Sequence, residues 1–102
     1  MSFHEVNYNI VNIATNGYNF VGSDSVRIDA HFQVSSVQQE GVYSQYDGCM
    51  LFNFGHVAST DSGFSAVDFR GNNCVIANEV GGTMLIPLTQ VPLDVVSEAE
   101  RA

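Results

Sequence analysis

The stretch SVRIDAHFQVSS (residues 25–36) alternates apolar and polar residues without a break from Val26 to Ser35. Val26, Ile28, Ala30, Phe32 and Val34 fall on one side; Arg27, Asp29, His31, Gln33 and Ser35 fall on the other. A period of two is the pattern of a strand with one face on a core. The apolar row therefore goes inward. The polar row lies on an exposed sheet face available to a partner, or lines a pocket if the sheet closes with that row inside.

Working outward from this stretch, period-two patterning and turn residues recur, and helical periodicity is nearly absent. Upstream, Val6, Tyr8 and Ile10 share one face and Val11 and Ile13 take the other, a phase switch that predicts a bulge or a strand wrapping between two packed layers. Asn16-Gly17 predicts a type I′ hairpin, because both central residues of that turn need positive φ. Downstream, residues 42–46 read as a strand and Asp47-Gly48 as a tight turn. The run CMLFNF (residues 49–54) is the most apolar and is predicted to be a central strand buried on both faces. Residues 64–70 and 74–80 read as strands on either side of Gly71-Asn72-Asn73, and Gly81-Gly82 turns into residues 83–88. Pro87 predicts an edge, and Pro92 opens a short helix with Leu93, Val96 and Ala99 on one face. Tyr18-Asn19-Phe20 and Phe52-Asn53-Phe54 echo one another, but turn chemistry is enough to produce the echo and no duplication is inferred. The expectation is one all-β domain over residues 1–102: a small antiparallel meander closed into a barrel or sandwich, with a short C-terminal helix.

Composition narrows the function classes. Eleven acidic residues face only Arg27, Arg70 and Arg101, there is no lysine, and the formal net charge is −8. Phosphate neutralisation needs clustered Lys and Arg, so direct nucleic-acid binding is disfavoured, as is an anionic membrane surface. The same charge suits a basic protein partner, such as a surface that normally holds nucleic acid. The N-terminal MSFHEVNYNI has neither a basic nor an apolar signal region, and no apolar run approaches a membrane span. Cys49 and Cys74 are too few for a disulfide framework; they are expected as small buried hydrophobes in a cytoplasmic, reducing setting, able to pair only if their strands are neighbours.

Chemistry-bearing residues are few. His56 shares a segment with Ser59, Thr60, Asp61 and Ser62, the residue types of nucleophilic catalysis, yet no strand–turn–helix elbow frames a serine, and Asp61 is expected to cap its own turn. His4, His31, His56, Cys49 and Cys74 have no paired spacing of the CxxC or HxxxH kind, so neither metal nor cofactor is expected. Arg27, Asp29, His31 and Gln33 form the polar row; Tyr43 and Tyr46, beside a turn, are candidates for an exposed amphipathic contact. With His56 and Asp61 these six make up the candidate binding residues.

The expected function is a small acidic binding module, not an enzyme, that acts by surface complementarity on a basic protein. In general composition the chain resembles small acidic proteins of phages and other mobile elements, some of which inhibit host defences; the resemblance rests on no motif. Two alternatives stand beside it. One is a self-assembling structural protein, a virion component or ring-forming subunit, and hence a homo-oligomer. The other is a small-molecule-binding barrel or enzyme using the Arg27, Asp29 and His31 face.

Overall fold

The computed structural model describes residues 2–61 and 63–84, together with the backbone of residues 89–90 and 93–97. Its strands, in chain order, are β1 (Phe3–Val6), β2 (Ile10–Asn12), β3 (Tyr18–Asn19), β4 (Ser25–Ile28), β5 (Gln33–Ser36), β6 (Val42–Ser44), β7 (Met50–Asn53), β8 (His56–Ser59), β9 (Val67–Phe69), β10 (Cys74–Asn78), β11 (Thr83–Met84), β12 (Thr89–Gln90) and β13 (Leu93–Ser97). Every third strand enters the same sheet. Sheet A runs β1-β4-β7-β10-β13, sheet B runs β2-β5-β8-β11 and sheet C runs β3-β6-β9-β12. All pairings are parallel, with Phe3 opposite Ser25, Ser25 opposite Met50, and Met50 opposite Val75. The chain thus winds as a parallel β-solenoid with three strands to a turn, one in each sheet.

This overturns the antiparallel barrel or sandwich. Each strand finds its partner a whole turn of the coil away, not across the nearest tight turn. A solenoid corner and a β-hairpin use the same residues, because both need Gly, Asn and Asp to bend the backbone sharply. What separates them is whether the chain reverses or merely changes sheet. The stretch at residues 25–36 is accordingly two strands. β4 ends at Ile28, the chain bends over Asp29–Phe32 with Phe32 N donating to Asp29 O at 3.3 Å, and β5 starts in another sheet. His31 takes φ +75° to make that bend. The corner interrupts the alternation: Val26, Ile28 and Val34 point inward, but Ala30 is exposed and Phe32 only half-buried, because both sit in the bend and not in a strand. The switch after Ile10 is neither a bulge nor a passage between packed layers: Ile10 and Val11 are both in β2, Ile10 at the inward position of Val34, while Val11 and Ile13 are exposed.

Asn16-Gly17 does not make a hairpin. Gly17 has no positive φ; it lies where a Cβ would sit 2.6 Å from Gly41 O and 2.8 Å from Ser35 O. Gly41, one rung on, is hemmed in likewise by the Ala58 and Ala66 carbonyls at 2.6 and 2.8 Å. The corner between sheets B and C is therefore built of stacked small residues. Two inward serines close it further: Ser36 Oγ donates to Thr15 O and Ser59 Oγ to Gln39 O, each at 2.7 Å.

Inside the coil, equal positions stack. Val26, Leu51 and Ile76 form one column and Val34 with Val57 another, all fully buried. Each such side chain contributes roughly 1.5–3 kcal/mol relative to exposure. Phe20 meets Phe69 edge-to-face at 5.2 Å and Tyr18 at 5.6 Å. Burial, and then the Asp24 charge, push the Tyr18 phenol above its ordinary pKa. β7 is the middle strand of sheet A, as CMLFNF predicts, although only its inward residues Leu51 and Asn53 are fully buried. Cys49 and Cys74 are both buried free thiols at equivalent places before β7 and within β10, and both donate to Tyr46 O at 3.4 Å. Burial pushes the Cys74 thiol upward.

The expected C-terminal helix is corrected too. The backbone of Leu93–Ser97 is strand β13, paired in parallel with β10. Pro87, Pro92 and Ala99 lie outside the described residues. Among the described residues no helix is long and apolar enough to cross a membrane.

Candidate functional site

The corner from sheet A to sheet B and the corner from sheet B to sheet C differ in how tightly they close. Where sheet A passes into sheet B, an open cavity of about 350 Å3 runs along three successive rungs. The first rung supplies Ala30, His31, Phe32 and Gln33; the second Phe54, Gly55 and His56; the third Val80, Gly81 and Thr83. Parallel register places Gln33, His56 and Thr83 side by side on the outer face of sheet B. His56 Nδ1 lies 2.6 Å from Thr83 Oγ1, and Gln33 Nε2 donates to Ser35 Oγ at 3.0 Å. Asn9 joins the row from the rung before, its Oδ1 accepting from Gln33 N at 3.0 Å. Phe32, Phe54 and Val80 provide apolar walls, and Val80 is 72% exposed.

Asn53 builds the floor of this corner from inside. Its Nδ2 donates to Asn78 Oδ1 at 3.0 Å and Thr83 O at 2.9 Å, and its Oδ1 accepts from Gly55 N at 3.1 Å. One fully buried amide thereby ties together the backbone of two rungs below the groove. Gly55 is required there, since a Cβ would lie 2.1 Å from Phe32 O. Above the groove, Arg27 Cζ stands 4.9 Å from the centre of the Phe54 ring, and Arg27 Nε lies 2.9 Å from Asp29 Oδ1. The oxygen lies off the line of an aligned hydrogen bond, so the pair is held by charge.

Five of the sequence-predicted residues therefore converge. His31, Gln33 and His56 line the groove, and Arg27 and Asp29 brace its rim. The other three go elsewhere. Tyr43 faces outward on sheet C opposite Asp68, a buried carboxylate held by Arg70 at 2.8 Å. The hydrogen bond and charge of Asp68 raise the Arg70 pKa, with smaller contributions from Tyr43 and Glu40. Tyr46 packs on the core beside Cys49 and Cys74. Asp61 caps its own turn, as its position predicts, with Gly63 N donating to Oδ1 at 2.8 Å. Ser62 is outside the described residues. Phe54, Val80 and Thr83 are groove residues that sequence reading misses, and Phe32, which the alternation assigns to the core, is another; the spacing of one coil, which joins Gln33 to His56 and His56 to Thr83, is the signal that finds them.

His56 Nδ1 and Thr83 Oγ1 pair directly across neighbouring rungs. Among the described residues no group of three His, Cys, Asp or Glu side chains comes together to hold a metal. The cavity sets the hydrogen-bonding side chains of His31, Gln33, His56 and Thr83 beside the aromatic and aliphatic walls of Phe32, Phe54 and Val80. Fold and site together define a three-sheet parallel β-solenoid with an open polar groove along one corner. The chain matches no protein-family model, no curated protein and no solved structure.

Proposed function

We propose that the protein is a non-enzymatic binding module whose ligand is a neutral, hydroxyl-rich ring compound, a saccharide unit, held in the corner groove. The observation that carries this reading is the composition of the walls: Gln33, His31, His56 and Thr83 for hydroxyls, Phe32, Phe54 and Val80 for the apolar ring faces. A groove of this size takes one or two sugar rings, and a neutral ligand is not repelled by a chain of net charge −8. His31 at φ +75° adds support, because a non-glycine residue held there is strained, and such strain collects at binding sites. The buried free thiols fit the reducing, cytoplasmic setting expected from composition.

The test is amide-resolved NMR titration with neutral hexose and N-acetylhexosamine trisaccharides. Binding should shift the amides of Gly55, His56, Gly81 and Thr83 first, be insensitive to salt, and weaken about tenfold in His56→Ala, as expected for one lost hydrogen bond to a partly desolvated ligand. No shift in the groove at millimolar sugar would refute it.

A second reading keeps the basic protein partner, on the strength of the net charge alone. It differs in one observable: binding to a cationic probe such as polylysine would fall steeply with salt and leave the groove amides unmoved.

A further inference from the structure

Cys49 and Cys74 are the only two cysteines of the sequence, and the coil brings them to one position on neighbouring rungs. Met50 stands opposite Val75 in the register of β7 and β10, and Val75 N donates to Cys49 O at 2.9 Å. The parallel ladder therefore continues one residue back and sets Cys49 beside Cys74. Both side chains lie in the core and are buried. Their sulfurs converge on one acceptor, each thiol donating to Tyr46 O at 3.4 Å. Cys49 Sγ also lies 3.2 Å from Ser44 Oγ. Burial is the largest cause that raises the Cys74 thiol, and the charge and hydrogen bonding of the Cys49 thiol add to it. The two sulfurs are thus neighbours, and not merely residents of the same core.

Neighbouring strands lie ~4.7–4.9 Å apart, within the ~4.4–6.8 Å that separates the Cα atoms of a disulfide. From that spacing the Cβ atoms must close by up to about 1 Å to form a bridge. Cys49 has room to make the move. It precedes β7 instead of lying in it, and it follows Gly48, which turns at φ +70° with nothing within 4 Å of the place a Cβ would take.

We infer that Cys49 and Cys74 form a reversible disulfide that ties two rungs of the coil together, with a small organic disulfide such as oxidised glutathione as the oxidant. One cysteine thiolate attacks a sulfur of that disulfide and releases the first small thiol, leaving a mixed disulfide on the protein. The other thiolate attacks the protein sulfur of the mixed disulfide and releases the second. The two protein thiols give up two protons and two electrons, which leave on the two small thiols. Buried thiols of raised pKa react slowly, so exchange proceeds through local opening of the corner at residues 46–48, whose Tyr46 carbonyl caps both sulfurs. The bond closes a loop of one coil turn, and folding and bridging therefore favour one another. None of this depends on what the groove binds.

The test is the equilibrium of the full chain with mixtures of reduced and oxidised glutathione, folded in buffer and unfolded in concentrated urea. Each equilibrium is approached from the reduced chain and from the bridged chain, quenched by thiol alkylation and read by intact mass. The expected product is a single chain, two hydrogen masses lighter, that takes no alkyl group and joins residues 49 and 74 in the peptide map. The effective concentration of the two thiols should be at least about tenfold higher in the folded chain than in the unfolded one. Oxidation should also raise the urea midpoint of unfolding. A smaller ratio, separate glutathione adducts on the two cysteines, or a bond between chains would each overturn the inference. In Cys74→Ala the rise in midpoint should vanish, and a rise that persists there would equally overturn it. Because the deciding ratio is read on the unaltered chain, a variant that fails to fold leaves the test intact.

Discussion

The corner between sheets B and C and the corner between sheets A and B are made from the same coil, yet one is sealed and the other is a groove. At the first, Gly17 and Gly41 bring backbone against backbone, and Ser36 and Ser59 turn their hydroxyls onto the carbonyls of Thr15 and Gln39. Nothing larger than hydrogen fits on those glycines. At the second, the bends at residues 29–32, 54–55 and 79–82 carry His31, Phe54 and Val80 outward, and the side chains stand apart around a cavity. The lesson is that a solenoid corner closes when consecutive rungs place small residues at the same position, and opens when they place large ones there. Asn53 shows what opening demands: with side chains outside, the bend is satisfied from inside by one buried amide.

Three substitutions break or sharpen this contrast. Gly41→Ala attacks the sealed corner. Its Cβ would stand 2.6 Å from Ala58 O, which is backbone and cannot swing aside, so chemical denaturation should report a loss of about 3 kcal/mol, the upper end for overpacking. Asn53→Ala removes the inner support of the open corner and strands the Thr83 carbonyl and the Gly55 amide in a buried site. A loss of about 2 kcal/mol is expected from those unmade bonds, and the groove amides of Gly55 and Thr83 should shift more than any others. His31→Gly has the smallest effect and the opposite sign. Release of the left-handed residue, partly offset by the greater freedom of glycine when unfolded, should raise stability by about 0.5 kcal/mol while weakening ligand binding at the groove. A stability gain with unchanged binding would separate the strain at His31 from function.

The comparison also shows how much could be read beforehand. Strand content was legible because period-two alternation needs only local sequence: Val26, Ile28 and Val34 are inward as the pattern requires. Pairing is not legible locally, because tight turns suggest local reversal, and Asn16-Gly17 is a hairpin signal in isolation. The long-range evidence was nonetheless present. Gly17 with Gly41, Ser36 with Ser59, Cys49 with Cys74 and Asn53 with Asn78 recur at nearly one spacing, that of a coil, and each pair occupies equivalent rungs. The echo of Tyr18-Asn19-Phe20 in Phe52-Asn53-Phe54 joins β3 of sheet C to β7 of sheet A and has no structural counterpart. A fixed recurrence of this length is the signature of stacked repeats, in which each unit buries its apolar face only against the next.

Of the candidate site, Arg27, Asp29, His31, Gln33 and His56 were accessible from their polar phase or their turn context. Tyr43 and Tyr46 lie on and just after β6 of sheet C, away from the groove, because proximity to a turn does not say which sheet the turn leaves.

What the sequence determines by itself is local: which residues alternate, which side of each strand is apolar, where the backbone must bend, and the net charge of −8. These follow from the two-residue period of the strand and from the φ/ψ freedom of glycine and asparagine. Tertiary structure alone decides that the strands pair in parallel one turn apart, that Gln33, His56 and Thr83 share a row, and that one corner is shut and another open. The physical reason is that backbone hydrogen bonds carry no label. Any two strands can form a ladder, and the choice between neighbours and distant partners is made by which arrangement lets every inward column, Val26 on Leu51 on Ile76, close on itself.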